Sequence, residues 1–246
     1  IDKPEVYLSE RAIERRARQN IKINESDFPV NPNYLHEVRK LGGVVYTTSK
    51  WFNAATVFAT DEVLAEIKKL SFVKGSEPVG RYSKPRPTRS RNKKRDNGVN
   101  YVQYNEYYGY GDNQIKMLNG DLLHNMGYDG DGMMVAVLDG GFSNVDIMPF
   151  FDSLRVNNRL LDGWDMVDND SYVYESSSHG SQVLSTMASN LPGLLVGTAP
   201  DATYICVKTE DVRSELRIEE DNWVAGSHSA AVLLQRRIME GHVAGR

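Results

Sequence analysis

The chain has 246 residues, enough for one large domain or two smaller ones with a sizeable core. Hydrophobic residues at 40 % and charged residues at 25 % exclude wholesale disorder, and the mild net charge of −4 selects no class of partner. A single cysteine, Cys206, excludes an intrachain disulfide, and no apolar run approaches the roughly 20 residues that span a bilayer.

The chain opens at "IDKPEVYLSERAIERR" with no initiator Met and no signal peptide, so the expectation is a trimmed N-terminus. Residues 1–80 read as a small α+β module. Ser9 caps a short helix carrying Ala12, Ile13 and Ala17. Asn31 followed by Pro32 marks a second helix start, Tyr34, Leu35, Val38 and Leu41 supply its apolar face, and Gly42-Gly43 stops it. "GVVYTTS" and "KWFNAATVFA" read as strands, being rich in β-branched and aromatic residues. Thr60, Asp61 and Glu62 open a third helix with Val63, Leu64, Ile67 and Leu70 on its buried stripe. "FVKGSEPV" reads as a short closing strand.

Residues 81–113 read as a linker. From Arg81 to Arg95 there are eight Lys or Arg and no acid, with Pro85 and Pro87. Such a run cannot bury a core. It reads as a solvated tether, a protease-sensitive junction or a nucleic-acid patch. No groove-reading motif accompanies it, so nucleic acid is not an expected partner. The five tyrosines of "NYVQYNEYYGYGDNQ" are expected to pack against a neighbouring domain.

Residues 114–226 alternate between strand and helix. "MMVAVLD" and "TYICVK" are continuous apolar runs, as suits parallel strands buried on both faces. Between them "SQVLSTMAS" places Val183, Leu184, Met187 and Ala188 on one helix face. The fold class read from this order is α/β, an open and mostly parallel sheet. Asp139 stands at the carboxyl end of the first strand, where such sheets gather ligands, and Gly140-Gly141 turns the chain after it. His179 opens the helix, with Gly180 leaving room beside the ring. Taken singly, each also fits a structural role: a turn aspartate and a helix-start histidine. Together they fit an imidazole base with an orienting carboxylate.

These motifs resemble those of the subtilisin-like serine proteases, the subtilases, and most closely the Bacteroidetes-type members. "VAVLDGG" is similar to the family's aspartate motif, with Gly140 where Ser or Thr is usual. "HGSQVLSTMA" is similar to its histidine motif, with Ser181 for Thr. "LLVGTAPDATYICVK" resembles the segment that follows, and residues 1–80 resemble the family propeptide, a folding chaperone and inhibitor. The resemblance implies a partial doubly wound, subtilisin-like sheet behind an α+β propeptide. It also implies an Asp-His-Ser endopeptidase acting on protein or peptide substrates. Asp139 would orient His179, and His179 would be general base and then general acid. It implies secretion, a periplasmic place or the cell surface, contact between propeptide and catalytic domain, and processing between about Ser83 and Asn113.

The family's nucleophile lies farther beyond the histidine than this chain extends. Ser227 and Ser229 in "VAGSHSAAVL" lack its Gly-Thr-Ser pattern, and Ser181 reads as a helix-start residue. No nucleophile is expected in this chain. Residues 227–246 do not resemble the family's continuation, so a truncated or frame-shifted fragment, inactive alone, is expected. The alternative is a free-standing, propeptide-like inhibitor or chaperone carrying a pseudo-enzyme remnant. No cofactor is required. Calcium enters only through Asp165, Asp168 and Asp170, which lack the Gly and terminal Glu of an EF-hand loop and read instead as a solvated acidic loop, so no metal ligand is expected. Cys206, inside an apolar strand, reads as inert.

Overall fold

The computed structural model describes residues 3–80 and 106–239. The basic run Arg81–Arg95, Tyr101 and Tyr104 lie outside the described residues, as does most of the expected processing region. The chain divides into two compact units, one of residues 1–81 with 216–225 and one of residues 82–215 with 226–246.

In the first unit, helix starts follow the capping residues. α1 (Glu10–Arg18) begins where Ser9 Oγ accepts the Ala12 N–H at 3.1 Å. α2 (Pro32–Lys40) begins where Asn31 accepts the Asn33 N–H at 3.0 Å. It ends at Gly42, whose φ of +95° an L side chain rarely adopts. β1 (Val44–Ser49) and β2 (Ala54–Phe58) pair as an antiparallel hairpin, and α3 (Asp61–Ile67) follows under a Thr60 cap. Val38, Val57 and Ile67 converge on Gly43 from the two helices and the hairpin. Two expectations need correction. Lys50–Asn53 form the hairpin turn rather than strand. Residues 72–79 form no closing strand: Val73 folds back to Leu70, and Pro78 has no N–H to offer a ladder. The end of that segment bonds elsewhere within the unit. The Val79 carbonyl accepts the Ile218 N–H at 2.8 Å, Arg217 pairs with Glu77 at 3.0 Å, and Thr56 Oγ1 donates to Asp221 at 2.7 Å.

The second unit holds the main sheet. α4 (Asp112–Met117) and α5 (Gly120–Asn125) precede β3 (Met134–Asp139). α6 (Asp152–Val156), β4 (Leu160–Asp165) and α7 (His179–Ala188) follow, then the small hairpin of β5 (Asn190–Leu191) and β6 (Leu195–Val196). β7 (Thr203–Lys208) completes the sheet, and α8 (Ile218–Met239) is the last element. The strand order is β3-β7-β4, all parallel, with the apolar β7 in the middle. Alternation along the strands sends side chains to opposite faces. On one face Val137, Tyr204 and Cys206 join Phe142, Phe151, Leu154, Val173, Leu184 and Ala188. On the other, Ile205 and Val207 join Leu161 and Ala230 of α8.

The α/β reading with a parallel sheet holds, but β3, α7 and β7 are not a simple strand-helix-strand unit. β4 intervenes in sequence and lies on the far side of β7. Its pattern is broken by Asp162 and Gly163, where the register with β7 shifts. A side chain at Gly163 would run into the Cys206 carbonyl, so glycine is what lets the two strands close up there. Among the tyrosines, Tyr108 is buried with Ile115 and Val196 of its own unit, not against another domain, while Tyr107 and Tyr110 are exposed.

One acid-sensitive tie stands out in the first unit. Arg16 holds both oxygens of Asp27 at 2.6 Å, and Asp27 is 3 % exposed. Burial pushes its carboxyl up. The Arg16 hydrogen bonds and the Asn24 N–H outweigh this and hold it below the usual carboxylate range. A lowered folded-state value means stability present above the unfolded value and lost as pH falls through the folded one. Chemical denaturation at about pH 3 and about pH 7 is therefore expected to show a less stable first unit in acid, since the unfolded carboxyl titrates near about 3.9. Asp27→Asn is expected to lower stability at the higher pH and to flatten the difference.

Candidate active site

The register of the sheet places Asp139 as the last residue of β3, opposite Lys208 of β7. Its carbonyl accepts the Thr209 N–H at 3.0 Å, so the strand end is fixed from β7. Its side chain is 9 % exposed. Oδ1 accepts the Gly140 N–H at 2.7 Å, and Oδ2 lies 2.8 Å from Nδ1 of His179. A carboxylate only accepts, so the contact puts the proton on Nδ1 and leaves Nε2 of the neutral ring with its lone pair. The imidazole itself is 71 % exposed.

His179 is the first residue of α7, and its N–H donates to Ser177 Oγ at 3.1 Å. The helix start is stitched to the loop after β3. Gly180 N–H donates to the Gly141 carbonyl at 3.1 Å, and Ser143 N–H to the Ser177 carbonyl at 2.9 Å. Ser181 Oγ donates to the Ser143 carbonyl at 2.8 Å, so this hydroxyl has a structural task, as its helix-start reading requires. A Cβ on Gly180 would sit 2.5 Å from the Gly141 oxygen, 2.8 Å from the Phe142 ring and 2.9 Å from the Asp139 Cβ. Only glycine lets α7 come close enough for the ring to reach Asp139. Gly140, where the resembled motif has Ser or Thr, has its own reason: a Cβ there would lie 2.7 Å from Val212. Glu210, in the same loop, is pushed up by burial and by the carboxylates of Asp139 and Glu215.

Asp165 and Asp168 are not a solvated loop. Asp165 ends β4 and is fully buried. Its Oδ1 accepts the N–H groups of Val167 and Asp168, each at 2.8 Å, and its Oδ2 accepts from Lys208 Nζ at 2.9 Å. The same ammonium is 3.8 Å from Asp168. Burial pushes the Asp165 carboxyl up, against the pull of Lys208. With Glu175, not with Asp170, these carboxylates bring one oxygen each within 4.8 Å of one another. The Lys208 ammonium stands among them as a resident cation and offsets one of the three carboxylate charges. Sequence reading missed Lys208, which lies 43 residues from Asp165; a charged residue closing an apolar strand was its one signal. Ser227 and Ser229 lie within α8, and Cys206 is buried, its thiol pushed up by that burial.

A parallel sheet with an aspartate at a strand end and a histidine opening a helix packed on it is consistent with a subtilisin-like α/β fold. The comparisons agree with it. Residues 1–97 match the family described as Peptidase S8 propeptide domain, Bacteroidota, and residues 130–232 match the Subtilase family. Subtilisin E of Bacillus subtilis (strain 168) is 28 % identical over 180 residues, covering 71 % of this chain and 38 % of the relative. Subtilisin NAT of Bacillus subtilis subsp. natto matches to the same extent, and Subtilisin J of Geobacillus stearothermophilus is 27 % identical. The chain is thus similar to a subtilase propeptide over residues 1–97 and to part of a subtilase catalytic domain over residues 130–232, and it spans 38 % of the length of these relatives.

Two outcomes follow. Gly180→Ala is expected to cost about 1–3 kcal/mol by overpacking against backbone, measured by urea denaturation. Millimolar calcium is expected to leave the melting temperature of this chain where EDTA leaves it; a rise with calcium would count against Lys208 as the resident cation.

Proposed function

We propose that the longer protein to which this chain corresponds is a serine endopeptidase, secreted or held in the periplasm or at the cell surface, and that Asp139 and His179 are two members of its triad. The observation that carries this is the 2.8 Å contact between a buried carboxylate and an exposed imidazole at the carboxyl end of a parallel sheet. Asp139 holds the ring in one tautomer and stabilises the imidazolium when it forms. Nε2 then takes the proton of a serine hydroxyl as it attacks the peptide carbonyl, and returns it to the leaving amine. Water reverses the sequence to release the acyl group. That serine is not in this chain. Ser181 is committed to the Ser143 carbonyl, and Ser227 and Ser229 lie inside a helix without the Gly-Thr-Ser pattern. The chain alone is inactive.

Residues 1–80 act as the propeptide. Residues 216–225 lie inside the Subtilase match and also inside the compact unit of residues 1–81, which supports propeptide contact with the peptidase portion. The same grouping favours the second reading, in which residues 1–80 serve as an inhibitor or chaperone and the remainder is a pseudo-enzyme. Among the described residues no helix is long and apolar enough to cross a membrane.

A fluorophosphonate probe separates the readings. It is expected to leave this chain unlabelled and to label the longer protein; labelling at Ser227 or Ser229 would overturn the assignment, and an unlabelled longer protein would favour the pseudo-enzyme. In the longer protein Asp139→Asn is expected to lower kcat about 10⁴-fold, as loss of the orienting carboxylate does in a serine-protease triad.

A further inference from the structure

The segment between Asp165 and His179 is held from both ends. Its near end is fixed by β7: Lys208 Nζ binds Asp165 Oδ2 at 2.9 Å, the Lys208 carbonyl accepts the Met166 N–H at 2.8 Å, and Asp165 Oδ1 binds the next two N–H groups. Along its length it is tied to the turn that follows Asp139. Phe142 N–H donates to the Val173 carbonyl at 3.0 Å, and Ser143 N–H to the Ser177 carbonyl at 2.9 Å. Its far end is His179. Lys208 stands in register with both Asp139 and Asp165, so a negative, a positive and a negative side chain form one row across the end of the sheet. The Lys208 side chain is 5 % exposed and that of Asp165 fully buried, so neither finds water if the other is removed.

We propose that Lys208 is a positioning residue for the Asp139–His179 pair: its buried bond to Asp165 sets the path of residues 166–178 and so the place at which His179 meets Asp139. This rests on the triad reading above. Removing the ammonium leaves Asp165 buried without a counter-charge. The carboxyl then takes up a proton or moves toward water, and either change releases the near end of the segment. The Asp139–His179 contact opens at its far end, while the apolar faces of the sheet stay packed.

The test is histidine-selective NMR on the whole chain, following the hydrogen-bonded Nδ1–H resonance of His179, with His179→Ala to assign it. The wild-type chain is expected to show the resonance, and Asp139→Asn to remove it. Lys208→Met and Asp165→Asn are each expected to lose it while keeping the far-UV circular dichroism of the wild type. Val207→Ala, a neighbour on β7 that loosens the core without touching the pair, is expected to keep it. Retention of the resonance in Lys208→Met overturns the proposal. So does its loss in Val207→Ala, or unfolding of both charge variants, since the pair would then hold the unit rather than the site. Absence of the resonance from the wild type is a different failure: it removes the Asp139–His179 reading first and the proposal with it.

Discussion

The arrangement at the sheet's carboxyl end depends on the backbone ladder of β7. That strand is hydrogen-bonded on both sides, so its register fixes the heights of β3 and β4 together. Asp139 and Asp165 end their strands at one level because both pair with Lys208. The ladder alone would leave two carboxylates at the end of an apolar sheet, a costly arrangement. One is matched by Lys208 and two backbone N–H groups. The other is matched by the Gly140 N–H and by an imidazole that can gain or lose charge.

Glycines decide how near the parts come. Gly163 lets β4 approach the Cys206 carbonyl, and Gly180 lets α7 approach the turn after Asp139. In both places the requirement is space for backbone, not flexibility. This accounts for the sequence around the histidine: the ring must be carried on a helix start close enough to touch a buried side chain, and the residue after it can have no side chain of its own.

What could be read from the sequence divides along the same physical line. β3, β7 and α7 were legible because long apolar runs and a helical stripe carry their own signal. The caps at Ser9, Asn31 and Thr60 were legible because the interaction is local, between residues two or three apart. The pairing of Asp139 with His179 was legible only as two motifs in a familiar order, since 40 residues separate them. β4 was not legible, because a glycine and an aspartate at its bend break the pattern. The acidic loop was misread for the opposite reason. Its local composition suggests solvent, and the lysine that buries it comes from a distant strand. The segment 72–79 looked like a strand by composition, but a strand needs a neighbour to pair with, which composition does not supply.

Cys206 sits at the centre of this arrangement, on the middle strand, with its thiol fully buried and reluctant to ionise. A thiol reagent reaches it only when β7 parts from its neighbours. As the chain's one cysteine, it makes the rate of alkylation a clock for the opening of that strand, distinct from the fraying of helices or the loosening of the first unit. The residue with no part in the proposed chemistry is thereby the built-in reporter of the sheet on which that chemistry rests.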